Sequence, residues 1–251
     1  MKLIKYLVFI TLLVTSLFTY ANPFTIGILK FAPPFSSVDT NNHYFGFAVD
    51  LMNEICKRIN EPCVYKATDF ETQLNDLQTG TIDVTFLASP IPPDVSEQYQ
   101  FSMPYITSNG QFVSLKNSNI NSIDDIKNKK IGVMQATLLQ YNVLPQYTSQ
   151  KNIKVYPKIT TLILALNNRD IDAALLNENV AKYLLNNTLK GFQLVGKPIT
   201  LGNGYGIIAL KKNAAIIDKI NKALLAIETD GTYLTLYQKY FGRSLQEKLP
   251  N

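Results

Sequence analysis

From Asn22 onward the chain alternates short runs of β-branched and aromatic residues with stretches of helical periodicity, and this alternation restricts the fold more than any other feature. It is the pattern of βα units built around largely parallel sheets. Residues 24–29 read as a first strand. A helix is expected over 48–59, where Val49, Met52, Ile55, Cys56 and Ile59 share one face. Pro62 and Cys63 open a second strand through Ala67, a helix follows over 70–79, Gly80 stops it, and a third strand covers 82–88. The alternation then starts afresh. Strands are expected at 111–115, 130–134, 153–156 and 171–176, with a short helix capped near Ser122 and helices over 137–144 and 160–168. After a strand-like 192–195, residues 204–210 form another strand. Asn213 then caps a helix whose Ile216, Ile217, Ile220, Ala223, Leu224 and Ile227 make one apolar stripe. Asp230-Gly231-Thr232 precedes a last helix ending near Phe241-Gly242. No low-complexity linker separates the two runs, so two lobes joined by strands are expected, not two domains on a flexible tether.

The N-terminus reads as an export signal. Met1 to Lys5 is a short basic region, residues 6–18 are almost wholly apolar, and Thr19-Tyr20-Ala21 supplies a cleavage site before Asn22. The run is too short and too interrupted by hydroxyl residues to anchor the protein in a membrane, and no cysteine follows it for lipid attachment. A leader over 1–21, cleaved after Ala21, is expected, with the periplasm or the outside of the cell as the destination of the mature chain and the periplasm as the expected one.

The chain has a formal net charge of +5 at pH 7, of which Lys2 and Lys5 belong to the leader; the rest is spread without a basic cluster, so nucleic-acid binding has no footprint. Cys56 and Cys63 are the only cysteines, and in an oxidising compartment a close even pair reads as a disulfide. Two thiols do not complete a tetrahedral metal site, so no metal or cofactor is expected. The only histidine, His43, lies in the polar turn-like Asn41-Asn42-His43-Tyr44, which leaves no base for a serine or cysteine hydrolase. Asp124-Asp125 reads as a helix first turn and Asp170/Asp172 as a strand edge, not as acid–base pairs. Gly202-Asn203-Gly204-Tyr205-Gly206 lacks the context of a phosphate loop and reads as a turn entering a strand.

Several ordered segments carry a family resemblance: Pro33-Pro34-Phe35; Gly46-Phe47-Ala48-Val49-Asp50-Leu51; Leu77-Gln78-Thr79-Gly80-Thr81-Ile82-Asp83-Val84; Phe101-Ser102-Met103-Pro104-Tyr105; Ile131-Gly132-Val133-Met134-Gln135; Asp170-Ile171-Asp172-Ala173-Ala174-Leu175; Asp230-Gly231-Thr232-Tyr233; and Tyr240-Phe241-Gly242. Together they resemble the periplasmic solute-binding proteins of polar amino-acid ABC importers, the bacterial extracellular solute-binding family 3. Glu54-Ile55-Cys56-Lys57-Arg58-Ile59-Asn60 with Cys63 is similar to the branch that binds cationic amino acids, in which this short disulfide recurs. The resemblance implies a type II periplasmic-binding-protein fold: two α/β lobes, 22–106 plus 196–251 and 107–195, joined by two hinge strands and closing on a ligand between them. It implies a monomer that performs no chemistry, partnered by a small polar ligand and by the membrane permease of an ABC transporter.

At the positions that such proteins use for an amino acid, this sequence departs from the pattern. The arginine for the α-carboxylate, six residues before the Phe of Phe-Ser-x-Pro-Tyr, is Val95, and the aspartate for the α-ammonium is Asn177. The acid after the first strand is Leu29, the Gly-Thr-Thr turn is Ala136-Thr137-Leu138, and the small hydroxyl residues after the third strand are Leu87-Ala88-Ser89-Pro90. The chain has three arginines, Arg58, Arg169 and Arg243, all at helix or turn positions away from the expected cleft. Lys30, Asp94 and Glu178 stand near the altered positions as replacement charges. The resemblance implies Phe70 as an aromatic wall, Phe31 beside the ligand, Phe35 either there or in the core, and Thr137 either as a ligand donor or as a helix cap. Ala88, Ser89, Val95 and Asn177 complete the expected ligand set. Two other functions stay open: a dehydratase of cyclic carboxylates on the same fold, and a sensor whose ligand is not an amino acid.

Overall fold

The structure, a computed structural model, describes residues 23–69, 72–86, 90–92, 96–135, 137–187 and 190–242. The expected leader, 1–21, lies outside them. The chain runs through β1 (Phe24–Leu29), β2 (Phe31–Ala32), β3 (Ser36–Val38), β4 (Tyr44–Phe45), α1 (Phe47–Ile59), β5 (Cys63–Thr68), α2 (Gln73–Gln78), β6 (Val84–Phe86) and β7 (Tyr99–Phe101). It continues through β8 (Gly110–Leu115), β9 (Ile131–Met134), β10 (Ile153–Tyr156), α3 (Ile159–Asn167), β11 (Ala173–Asn177), α4 (Glu178–Asn187), β12 (Phe192–Ile199), β13 (Ile207–Leu210), α5 (Ala214–Thr229) and α6 (Thr232–Phe241). Among the described residues no helix is long and apolar enough to cross a membrane.

Two five-stranded sheets organise these elements. The first has the order β5-β1-β6-β13-β7, with β1 parallel to β5 and β6 and with β13 antiparallel to β6 and β7. The second has the order β10-β9-β11-β8-β12, with β9, β10 and β11 parallel and β8 antiparallel to both its neighbours. A small three-stranded sheet, β2-β3-β4, caps the entrance to α1. Sheets covered on both faces need strands that are apolar on both sides, and the period-2 alternation of a strand sorts those side chains into two layers. In the second sheet Phe112, Ile131, Val133 and Leu175 pack into one core, while Val113, Ala174 and Leu176 join Leu162 and Leu166 of α3 in the other. In the first, the faces of α1 and α5 named from the sequence, with Tyr233, Tyr237 and Phe241 of α6, bury against Ile26, Ile28 and Val84.

Gly46 starts α1 at φ 126°, a backbone region that side chains disfavour. There the carbonyls of Pro34 and Phe35 accept the N–H groups of Phe47 and Ala48 (3.0 and 2.9 Å), satisfying two orphan donors of the first turn. A Cβ at Gly46 would lie 2.4 Å from the Phe35 carbonyl oxygen. At the other end of α1 the expected disulfide is present, Cys56 to Cys63, tying the helix to the first residue of β5.

Several expectations are corrected. Residues 137–144 do not form a regular α-helix: Leu139–Val143 is a π-helical turn running into a 3₁₀ turn at Leu144–Gln146, where Pro145 has no N–H to continue an α ladder. Asn213 occupies the cap position of α5 but its side chain makes no cap bond. α4, β7 and the small sheet have no counterpart among the expected elements. Ser122 does cap its short helix, in a capping box with Asp125.

The chain passes between the sheets twice, and the two passages pair with each other. Ile106 and Tyr205 form an antiparallel bridge, in which Tyr205 N–H donates to Ile106 O (2.8 Å) and the neighbouring Tyr105 N–H donates to Tyr205 O (2.9 Å). Ser108 Oγ donates to the Leu201 carbonyl and accepts the Gly204 N–H at 3.2 Å. β12 stays in the second sheet as far as Ile199, opposite Gly110, before the chain returns.

Candidate functional site

In parallel α/β sheets the carboxyl ends of the strands, with the loops that follow, form the crevice where ligands bind. Here the ends of β1 and β6 face those of β9, β10 and β11 across a cleft of about 990 Å³. Leu29, Phe31, Phe35 and Phe86 line it from the first sheet, and Met134, Gln135, Thr137, Lys158, Leu175 and Asn177 from the second. Tyr105 and Tyr205 form its floor between the crossing segments. Most of the lining is aliphatic or aromatic, with a few polar groups, which is the usual make-up of a small-molecule site.

The floor is built of interlocked rings. Phe35 lies 6.3 Å from Tyr205 and 5.8 Å from Phe241, and Phe86 meets Tyr105 edge-on at 5.2 Å. Burial pushes the Tyr105 phenol far above the ordinary tyrosine range. Burial also raises that of Tyr205, against the opposing pull of a hydrogen bond from Asn177. Both rings are therefore neutral at physiological pH, and the floor offers hydroxyls without charge.

Asn177 lines the cleft, but most of its bonding capacity is taken up within the protein. Its Oδ1 accepts the N–H groups of Asn179 (2.9 Å) and Val180 (3.2 Å) at the start of α4, and its Nδ2 donates to the Tyr205 hydroxyl at 3.1 Å. Thr137 also lines the cleft, where its hydroxyl donates to the Met134 carbonyl (2.9 Å) and accepts the Gln140 N–H (3.2 Å). Its capping alternative is thus realised in the side chain. Phe31 stands on the rim, 64% exposed.

Neither described charge replacement reaches the cleft. Lys30 Nζ lies 2.6 Å from Asp69 Oδ2 in an exposed ion pair. Glu178 is 5% exposed, with its two oxygens held by Asn109 Nδ2 and Lys182 Nζ, each at 2.9 Å. A carboxylate so buried requires such partners, and they consume it. Phe70, Ala88, Ser89, Asp94, Val95 and Ala136 fall outside the described residues. Of the arginines, Arg58 is committed to Asp230 at 2.6 Å, Arg169 sits in a turn at φ 65°, and Arg243 is outside the described residues. His43 is an exposed turn residue beside Asp39, and Asp172 accepts the Lys130 N–H at a strand edge. No cluster of three potential metal ligands occurs among the described residues.

Tyr105, Tyr205 and Lys158 line the cleft although no motif in the sequence marks them as site residues. Lys158 had a signal: it follows the end of a parallel strand, and such positions open onto the crevice. Tyr205 had only its setting between Gly204 and Gly206.

Residues 24–243 match the family model described as bacterial extracellular solute-binding proteins, family 3. Among curated relatives, the putative ABC transporter arginine-binding protein 2 of Escherichia coli K12 is 30% identical over 213 residues, covering 83% of this chain and 86% of that protein. The ABC transporter arginine-binding protein 1 of the same organism is 29% identical over 224 residues, 88% of this chain and 91% of its own. Among solved structures, an arginine 3rd transport system periplasmic binding protein from Legionella pneumophila superposes with a TM-score of 0.77 at 35% identity, over 88% of this chain and 100% of that one.

Proposed function

Because the chain belongs to the bacterial extracellular solute-binding proteins of family 3, we propose that it is the ligand-capturing component of an amino-acid ABC importer, working in the periplasm after removal of residues 1–21. The observation that carries this reading is the cleft itself: it is lined from the strand ends of both sheets and floored by the paired crossing segments. A ligand there touches both sides only when they approach, so binding favours a closed state that a permease reads. In this reading residues 22–106 with 196–251 form one lobe and 107–195 the other, the protein acts as a monomer, and no bond of the ligand is made or broken.

The ligand class follows from the relatives, two of which are named arginine-binding: a cationic or other polar amino acid or a derivative. Phe70 is its aromatic wall, with Phe31, Ala88, Ser89 and Val95 completing the contacts alongside Thr137 and Asn177. Calorimetry of the mature chain against arginine, lysine, histidine and glutamine tests the proposal, with recovery of the ligand unchanged as the second readout. Saturable binding without turnover is expected. A silent titration across the panel, or conversion of a cyclic carboxylate, would replace this reading.

A further inference from the structure

We propose that Lys158 receives the ligand's carboxylate, from the second sheet, in place of the arginine that this sequence lacks. The inference rests on the amino-acid reading above and deepens it. Lys158 is the only charged residue among the described residues lining the cleft. It follows β10 after Pro157, in extended conformation (φ −136°, ψ 142°), immediately before α3. The strand ends behind it are tied together, Gln135 N–H donating to the Tyr156 carbonyl at 2.9 Å. Its backbone therefore sits on the rigid edge of the sheet.

Its ammonium has no ion-pair partner among the described residues. That separates it from Lys30, whose charge Asp69 cancels, and from Lys182, which neutralises Glu178. The polar groups that share its wall, Gln135, Thr137, Thr160 and Asn177, are all neutral. Charge in such a cleft is screened less than on an open surface once a ligand displaces water, so an unpaired ammonium makes this wall an anion-accepting one. An ammonium is a compact charge on a flexible stem, unlike the flat two-pronged guanidinium. The site is thus expected to select a carboxylate by its charge and to tolerate variation in its angle.

The test is a double cycle in protein and ligand. Calorimetry on the mature chain and on Lys158→Gln and Lys158→Arg would use arginine, lysine, histidine and glutamine, and then the α-carboxamide of whichever binds. In the unmodified protein the carboxamide should bind at least tenfold more weakly than the acid. Lys158→Gln should weaken the acid at least tenfold and leave the carboxamide nearly unchanged, and Lys158→Arg should restore most of the loss. Equal affinity of the acid for the mature chain and for Lys158→Gln overturns the inference while the amino-acid reading stands. So does an equal loss for acid and carboxamide, which is the mark of a packing role. An unmodified chain that binds none of the amino acids overturns that reading and this inference with it.

Discussion

Asn177 donates to the Tyr205 hydroxyl at 3.1 Å while its own carbonyl oxygen caps α4, so one side chain links the end of β11 to the segment returning to the first sheet. Tyr205→Phe removes only the first of these bonds and should cost about 1 kcal/mol of stability. Asn177→Ala removes the cap as well and should cost about 1–3 kcal/mol. Asn177→Asp, which keeps an acceptor for the cap, should recover part of that loss. Urea unfolding of the three variants gives the ranking; a Tyr205→Phe loss as large as that of Asn177→Ala would contradict the separation of the two roles.

Gly46→Ala should be among the most damaging substitutions of a small residue in the first sheet's half of the molecule. At φ 126° a side chain is strained, at about 1–3 kcal/mol, and its Cβ would meet the fixed carbonyl of Phe35. The chain should lose at least about 2 kcal/mol, whereas Gly80→Ala, with open space around it, should show the strain alone. Thermal melting of the pair distinguishes the two causes.

Opening the Cys56–Cys63 bridge frees a short loop of the unfolded chain. Loop-closure entropy for such a length is about 2–3 kcal/mol, so the double Cys→Ala variant should melt about 4–12 °C lower. Ligand affinity should be unaffected, since neither cysteine lines the cleft. Melting points with and without the bridge, and one titration, check both halves.

Asp230 is held below the ordinary 3.8, at about 2, first by the Thr232 hydroxyl and next by the Arg58 guanidinium. A carboxyl depressed in the folded state contributes stability that is complete above the unfolded-state value and is lost as pH falls through the folded one. The advantage in melting temperature of the unmodified chain over Asp230→Asn should therefore be flat from pH 7 to about 5 and shrink between about pH 4 and 2. An advantage that persists unchanged at pH 2 would show that the carboxylate charge is irrelevant there.

Phe70→Ala should weaken amino-acid binding by about 1–3 kcal/mol, the scale of an aromatic wall in a desolvated site. Unchanged affinity by calorimetry would remove Phe70 from the contact set.

The sequence by itself determined the elements whose burial is periodic: the strands of the two sheets other than β7, the apolar faces of α1 and α5, and the cysteine pair at the α1–β5 junction. Each is written within a dozen or so residues, as a repeat of two or 3.6 or as a short spacing. α4 escaped because its buried positions, Ala181 among them, are diluted by polar residues and its cap is the last residue of a strand. The ordered motifs likewise identified the family, because they occur in order along the stretch that the family model matches, residues 24–243. Which charges the cleft can use was not legible. Lys30 and Glu178 read as available because Asp69 and Asn109 lie 39 and 69 residues away from them in the chain and because Lys182 reaches Glu178 only once α4 forms, and Lys158 reads as ordinary because nothing local marks a lysine as unpaired. A charge becomes available or spent through the neighbours that folding places beside it, whether from a distant segment, as Asp69 does for Lys30, or from one helical turn away, as Lys182 does for Glu178, since Coulomb and hydrogen-bond energies depend on separation in space and on burial, not on separation along the chain.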